Sequence, residues 1–337
     1  MRKFFFNDFM VEFMSRGHRM SGKISKMKIG LFGLVLISIT LAGCIQETEQ
    51  PKEKVNLKIG VLPIEDSLPL VIAKEEGIFD KYGLNVDIVM FQSALERDSA
   101  LTSGEVSAVV TDPLAVILLK NGGIDVRIVS ICLGKTPQEG VFKILASPSS
   151  NITDVKDIEG KKIAISRNTI IEYVTDKLLG DMKDEVEKVE IKKIPLRLQT
   201  LLDNKVDMAT LPEPLASLAE LKGAKKILSD SEMDDSISHT VIVFKGSYID
   251  ENKDAVEKFL LAYDDAVERI NSDPSRYRDK FIEIARVPEP LVGTYKMPKY
   301  PKSEIFPEKY FNEYLEWAKS KGLIEKEISY ESVIYGK

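Results

Sequence analysis

The sequence predicts an α/β protein made of two similar lobes joined by two crossing strands. Three observations carry this expectation. From Leu57 onward, short apolar runs alternate with longer amphipathic segments, the pattern of strands connected by helical crossovers. Two stretches, EVSAVVTDPLAVILLKNGG and KVDMATLPEPLASLAELKGA, share one figure: a valine-led strand, an acid followed directly by Pro-Leu-Ala, and an apolar helix ending in glycine. The match needs one residue of slippage, at Pro212. Finally, GVFKILASP (Gly140 to Pro148) and SHTVIVFKG (Ser238 to Gly246) are strand-like runs that lead from one α/β block to the other and back.

In chain order, the first segment to account for is the N-terminus. Lys23, Lys26 and Lys28 precede the apolar run IGLFGLVLISITLAGC, too short for a comfortable membrane span but suited to the core of a secretory signal. Its end, Leu41-Ala42-Gly43-Cys44, resembles the lipobox of bacterial and archaeal lipoproteins, in which the cysteine is lipidated and becomes the first residue. Residues 1–43 are therefore read as a leader. Acids and aromatics ahead of the basic cluster point to Met20 or Met27 as the true start. Residues 44–55, with QETEQPKEK, lack apolar periodicity and read as a disordered tether. A buried helical thiol at Cys44 fits the small residues before it and the polar stretch after it less well.

Removing 43 residues from 337 leaves 294, enough for two lobes of ordinary size. It also removes seven basic residues against two acidic ones, moving the formal charge from −6 to about −11, which argues against nucleic acid as a partner. Cys132 is then the one cysteine besides Cys44, so no internal disulfide forms, and its setting IVSICLG marks a buried strand residue. His239 is the one histidine left, too few for the usual zinc constellations, and no metal or cofactor is implied.

Within the folded part, LKIGVL (Leu57 to Leu62), NVDIVMF (Asn85 to Phe91), VSAVVT (Val106 to Thr111) and VRIVSI (Val126 to Ile131) read as strands. The helical segments between them stop at Gly77, Gly104 and Gly122, where glycine can adopt the left-handed cap. The second block repeats the alternation: strand KKIAIS, helix NTIIEYVTDKLLG, strand VEIKKIP, helix RLQTLLDNK and strand VDMATL. After the second crossing, NKDAVEKFLLAYDDAVERINSD and EKYFNEYLEWAKSKG read as helices packing back on the first lobe, their aromatics serving the core. The Pro-rich link VPEPLVGTYKMPKYPKSEIFP has no period and reads as a surface strap or a wall of the cleft. These boundaries give lobe 1 as 56–141 plus 246–337 and lobe 2 as 142–245.

The stretch KIGVLPIEDSLPLVIAKEEGIFDKYGLNVDIVMFQSALERDSALTSGEVSAVVTD, with KKIAISRNTIIEYV and TLPEPLASLAELKGAK, resembles the substrate-binding lipoproteins of ABC importers. It is most similar to the NMT1/THI5-like group, related to nitrate, sulfonate, taurine and thiamine-precursor binding proteins. The resemblance runs from about Leu57 to the end of the chain. It implies a periplasmic-binding-protein-like (type II) fold with a ligand in the interlobe cleft. It also implies a lipid-anchored monomer on the outer face of the membrane, a small-molecule ligand, and an ABC permease with its ATPase as partners. An enzyme on the same fold is the alternative, since relatives include a pyrimidine synthase, but that group's cysteine-rich motif and histidines are missing here. A tethered solute sensor is also open.

In open α/β sheets ligands bind beyond the carboxyl ends of strands. The loops there contain Asp66, Ser67, Gln92, Ser93, Thr111, Asp112, Arg167, Asn168, Thr169 and Glu213, taken as candidate ligand contacts. Asn168 and Thr169 open a helix whose N–H groups, with Arg167, would suit an anionic group, though ordinary capping also explains them. Ser93 and Glu96 form a capping box, which leaves Gln92 the freer of its pair. Asp66 and Ser67 precede a helix they could cap. Asp112 and Glu213 hold matching places in the repeat, one per lobe, either as helix caps or as two jaws of one cleft. Carboxylates brought together there would favour a ligand that donates hydrogen bonds or carries positive charge.

Overall fold

The computed structural model describes residues 54–336. The leader, Met20, Met27, Cys44 and the tether through residue 53 lie outside the described residues.

The first block runs β1 (Val55–Val61), α1 (Leu68–Glu75), α2 (Ile78–Lys81), β2 (Leu84–Met90), α3 (Ala94–Ser103), β3 (Ala108–Thr111), α4 (Pro113–Asn121) and β4 (Val126–Leu133). The chain then crosses to β5 (Phe142–Ala146), β6 (Lys162–Ile165), α5 (Ile170–Leu179), β7 (Glu187–Glu190), α6 (Ile194–Leu202), β8 (Met208–Pro212), α7 (Leu215–Leu221) and β9 (Lys225–Ser229). It returns through β10 (Thr240–Lys245) and closes with α8 (Gly246–Glu251), α9 (Lys253–Ser272), α10 (Arg278–Ile284) and α11 (Glu308–Ser320).

Two five-stranded sheets result, ordered β2-β1-β3-β10-β4 and β7-β6-β8-β5-β9. β1 pairs parallel with β2 and β3, and β6 pairs parallel with β7 and β8. Each sheet admits one antiparallel strand, β10 in the first and β5 in the second, and these are the strands that follow the two crossings. Each crossing strand thus occupies the same place in the sheet it enters, so the repeat read in the sequence is a repeat of topology.

The correspondence reaches single side chains. Arg97 on α3 donates from Nη1 to the Val110 carbonyl at 3.0 Å, and Arg197 on α6 donates from Nη1 to the Thr210 carbonyl at 3.0 Å, each across thirteen residues. Both guanidinium groups are buried. Arg97 also reaches Thr111 Oγ1 and Asp98, whereas Arg197 is held by the Ile191 carbonyl through Nε and Nη2. Burial lowers the Arg197 pKa to about 10.

Three sequence expectations are corrected. The run VEIKKIP is not one strand: β7 ends at Glu190 and α6 begins at Ile194, with Pro195 in the first turn where its missing N–H costs nothing. Gly122 is right-handed at φ −69°, and the left-handed residue after α4 is Gly123 at φ +86°. The C-terminal helices both pack on the first block, but α11 does not pack on it alone. In α9, Phe259 stacks on Phe79 at 5.5 Å. α11 packs on α4 and also on α5, where Tyr314 stacks on Tyr173 at 4.2 Å and Trp317 meets the same ring edge-on at 5.6 Å.

Because of α11, one continuous hydrophobic core carries Val109, Ile128 and Val241 of the first sheet together with Ile144, Ile163 and Met208 of the second. A second core fills the space between the first sheet and α1, α9 and α10, and a third lies under α6 and α7.

Candidate functional site

The two crossing segments run side by side. Asp230, 1% exposed, accepts hydrogen bonds from Val141 N and Phe142 N, each at 3.0 Å, so the return segment holds the start of β5. Burial raises its pKa to about 6, against the opposing hydrogen bonds. Glu139 turns back to accept from Gly134 N at 2.9 Å and Lys135 N at 3.0 Å.

Beside this junction lies a cavity of about 500 Å³. The turn after β1 supplies Glu65, the first crossing supplies Gln138 to Val141, and the second block supplies Glu213 and Ser217. The Pro-rich link forms its remaining side through Leu291 and Thr294 to Lys299, so the link walls the cavity. That wall is pinned: Arg278 Nη2 donates to the carbonyls of Val292 and Tyr295, both at 2.7 Å, and Tyr295 stacks on Phe281 at 5.9 Å. The Tyr300 hydroxyl donates to the Glu65 carbonyl at 2.8 Å.

Carboxylates dominate the chemistry of this cavity. Glu65 is 7% exposed and accepts a short hydrogen bond from the Tyr295 hydroxyl. Burial pushes its pKa up to about 7, helped by the charges of Glu213 and Asp66 and opposed by the Tyr295 bond. Glu213 accepts from Ser217 N at 3.0 Å and Ser217 Oγ at 2.9 Å, and pairs with Lys143 at 2.8 Å. Lys143 is shared with Glu220.

Of the ten candidate contacts read from the sequence, Glu213 lines this cavity and the other nine do not. Asp112 caps α4 through Ala115 N at 2.9 Å and is half-buried, and desolvation raises its pKa. The acids that share the cavity with Glu213 are Glu65, two loops away from Asp112, and Glu139 of the first crossing. Asp66 is buried, with a pKa raised to about 6 by desolvation, and Ser67 Oγ donates to the Leu62 carbonyl at 2.6 Å instead of capping α1. Ser93 Oγ accepts from Glu96 N at 3.2 Å, and Glu96 reaches back to Gln92 N rather than to Ser93 N. Gln92 itself accepts from Arg286 at 3.1 Å, and Thr111 Oγ1 accepts from Arg97 at 2.6 Å.

At the start of α5, Thr169 caps the helix through Ile171 N, and Asn168, left-handed at φ +58°, donates its N–H to Glu172 at 2.7 Å. Arg167 is tied from Nη2 to the Lys188 carbonyl at 2.7 Å, and its N–H to Glu190 at 2.8 Å. Burial works to raise the Glu172 pKa, but hydrogen bonds from Lys321, Asn168 N and Lys188 prevail and lower it. The chain's own carboxylates therefore fill the helix terminus that the sequence offered to an anion.

Sequence reasoning missed Glu65, Tyr295 and Ser217. Tyr295 lies in a segment without periodicity, and Glu65 precedes Asp66 and Ser67, the polar pair next to the helix. Ser217, four residues after Glu213, was legible as a helical neighbour on the same face. A larger hollow of about 590 Å³ lies between α5 and α11 around Asp176, Lys177 and Trp317. It sits at the C-terminal half of α5, away from the strand ends, and its rim is closed by the Lys177–Glu313 pair at 2.8 Å.

A protein of Bacillus subtilis (strain 168) named as aliphatic sulfonates-binding is 28% identical over 288 residues, covering 83% of this chain and 85% of that protein. A protein of Brachyspira hyodysenteriae named as an ABC transporter periplasmic binding protein is 25% identical over 261 residues, covering 72% of this chain and 74% of that protein. Among solved structures, the periplasmic aliphatic sulphonate binding protein SsuA from Escherichia coli superposes with a TM-score of 0.71 at 16% identity, covering 83% of this chain and 97% of that one, which shows a periplasmic-binding-protein fold. The NMT1/THI5-like family model matches residues 65–277, and on that match this chain belongs to the NMT1/THI5-like family.

Proposed function

We propose that this chain is the solute-binding component of an ABC importer, holding a small polar molecule in the cavity between its two α/β blocks and presenting it to a permease and its ATPase. The observation that carries this reading is the cavity itself. It is walled at once by Glu65 of the first block, by Glu213 and Ser217 of the second, by the first crossing and by the link before α11. A ligand there would touch every part that moves when two lobes close on a hinge. The names of its relatives fit capture, so we read it as a binding protein and not an enzyme. We assign lobe 1 to 56–141 plus 246–337 and lobe 2 to 142–245. Lipid attached at Cys44 would hold a monomer at the outer face of the membrane.

Two experiments test this. Native mass spectrometry of the purified protein should detect a small molecule that Ser217→Trp, which fills the cavity, displaces. Retention of that mass in the variant would refute binding in the cavity. Separately, Cys44→Ser should release the protein from the membrane fraction, and a variant that stays bound would sink the anchor.

A further inference from the structure

We propose that the cavity receives the cationic, N–H-donating end of a small organic amine or amidine between the carboxylates of Glu65 and Glu213, and excludes simple anions such as sulfonates and nitrate. This inference rests on the reading of the cavity as the ligand site.

The geometry of Glu65 is the first support. Its side chain lines the cavity and is 7% exposed, and one carboxylate oxygen accepts from Tyr295. The other has no hydrogen-bond partner among the described residues. That oxygen is left to the open space of the cavity, where a ligand N–H would satisfy it in place of water.

Charge is the second support. Glu213 faces the same cavity from the other block, and its charge acts on Glu65. Lys143 is divided between Glu213 and Glu220, so the group keeps a net negative charge before Glu65 is counted. Closing two blocks on such a pair is unfavourable unless something positive lies between them.

The third support is the fate of the anion-binding groups. The donors at the start of α5 are taken by Glu172, and Arg167 is held by the Lys188 carbonyl. Lys296 and Lys299 also line the cavity, but both are exposed, so water and salt screen their charge more than that of the buried Glu65.

The test is thermal unfolding of the full-length protein in detergent at pH 8 with ethanolamine, putrescine and arginine, and in parallel with ethanesulfonate and nitrate. At about 100 times its Kd, a ligand specific to the folded state raises the midpoint measurably by mass action. At least one of the amines should do so. The rise should vanish in the isosteric Glu65→Gln, weaken in Glu213→Gln and persist in Arg167→Gln. Apparent affinity should fall by up to about tenfold per pH unit below 7, as protons compete for Glu65 among Tyr295, Tyr300, Asp66 and Glu213. Stabilisation by ethanesulfonate or nitrate, or by no amine, overturns the inference. An anion response abolished by Ser217→Trp would overturn the charge assignment while leaving the cavity as the site. An amine response that survives Ser217→Trp would overturn both.

Discussion

Gly134 shows how tightly single residues constrain the junction between the blocks. Its backbone is left-handed at φ +86°, and a Cβ there would stand 2.8 Å from both the Ser238 carbonyl oxygen and His239 Cα. Gly140 is similarly enclosed, since a Cβ would lie 2.5 Å from Asp230 Oδ1. Only glycine lets the crossing segments run this close. Gly134→Ala should therefore destabilise the protein by about 2–4 kcal/mol, combining left-handed strain with overpacking against backbone that cannot yield. Chemical denaturation would measure it, and a loss under about 1 kcal/mol would contradict this account. The sequence marked neither glycine as special, because the atoms they must avoid belong to a segment a hundred residues away.

At the scale of elements, the crossing strands matter most. Asp230 accepts from the N–H of Val141, just before β5, and from that of Phe142, the strand's first residue. Replacing it by alanine should leave two buried donors unpaired, at a cost of about 2–4 kcal/mol, whereas asparagine, which keeps one acceptor oxygen, should cost less. Unfolding curves for Asp230→Ala and Asp230→Asn test this order, and equal losses would show that the backbone bonds are not what Asp230 contributes. Most strands were legible because their apolar runs are bounded by glycine or a cap. β9 was not: its sequence KKILS sits at the sheet edge, half-exposed and lysine-bearing, as edge strands commonly are. The helix α11 was legible as a helix but not as a bridge. Its aromatic face reads the same whether it meets one block or both.

Over the whole molecule, the buried ionisable groups set a pH dependence. Glu65, Asp66 and Asp230 have pKa values raised to about 7, 6 and 6, chiefly by burial, against about 4 in the unfolded chain. Between those limits the folded state holds more protons, so their contribution to stability is full below about pH 4 and is lost as pH rises through 6 to 7. His239 acts oppositely. Burial lowers its pKa to about 3, so its contribution is present above about pH 6.5 and is lost as pH falls. Three groups outweigh one, and the unfolding midpoint of the ligand-free protein should rise as pH is lowered from 8 to about 5.5. A midpoint that falls over that range would show that these acids are not buried as described.

The amino-acid sequence by itself determined the two-block α/β plan, the crossing strands and the repeat, because apolar periodicity, capping residues and turn glycines act over a few neighbouring residues. It also singled out Glu213 as a candidate contact. Only the tertiary structure decided which acids share a cavity with it. Asp112 matches Glu213 in the repeat, yet it caps its own helix, while Glu65 lines the cavity beside the wall formed by the link that carries Tyr295. That outcome depends on how distant segments pack, and no local pattern in the chain encodes it.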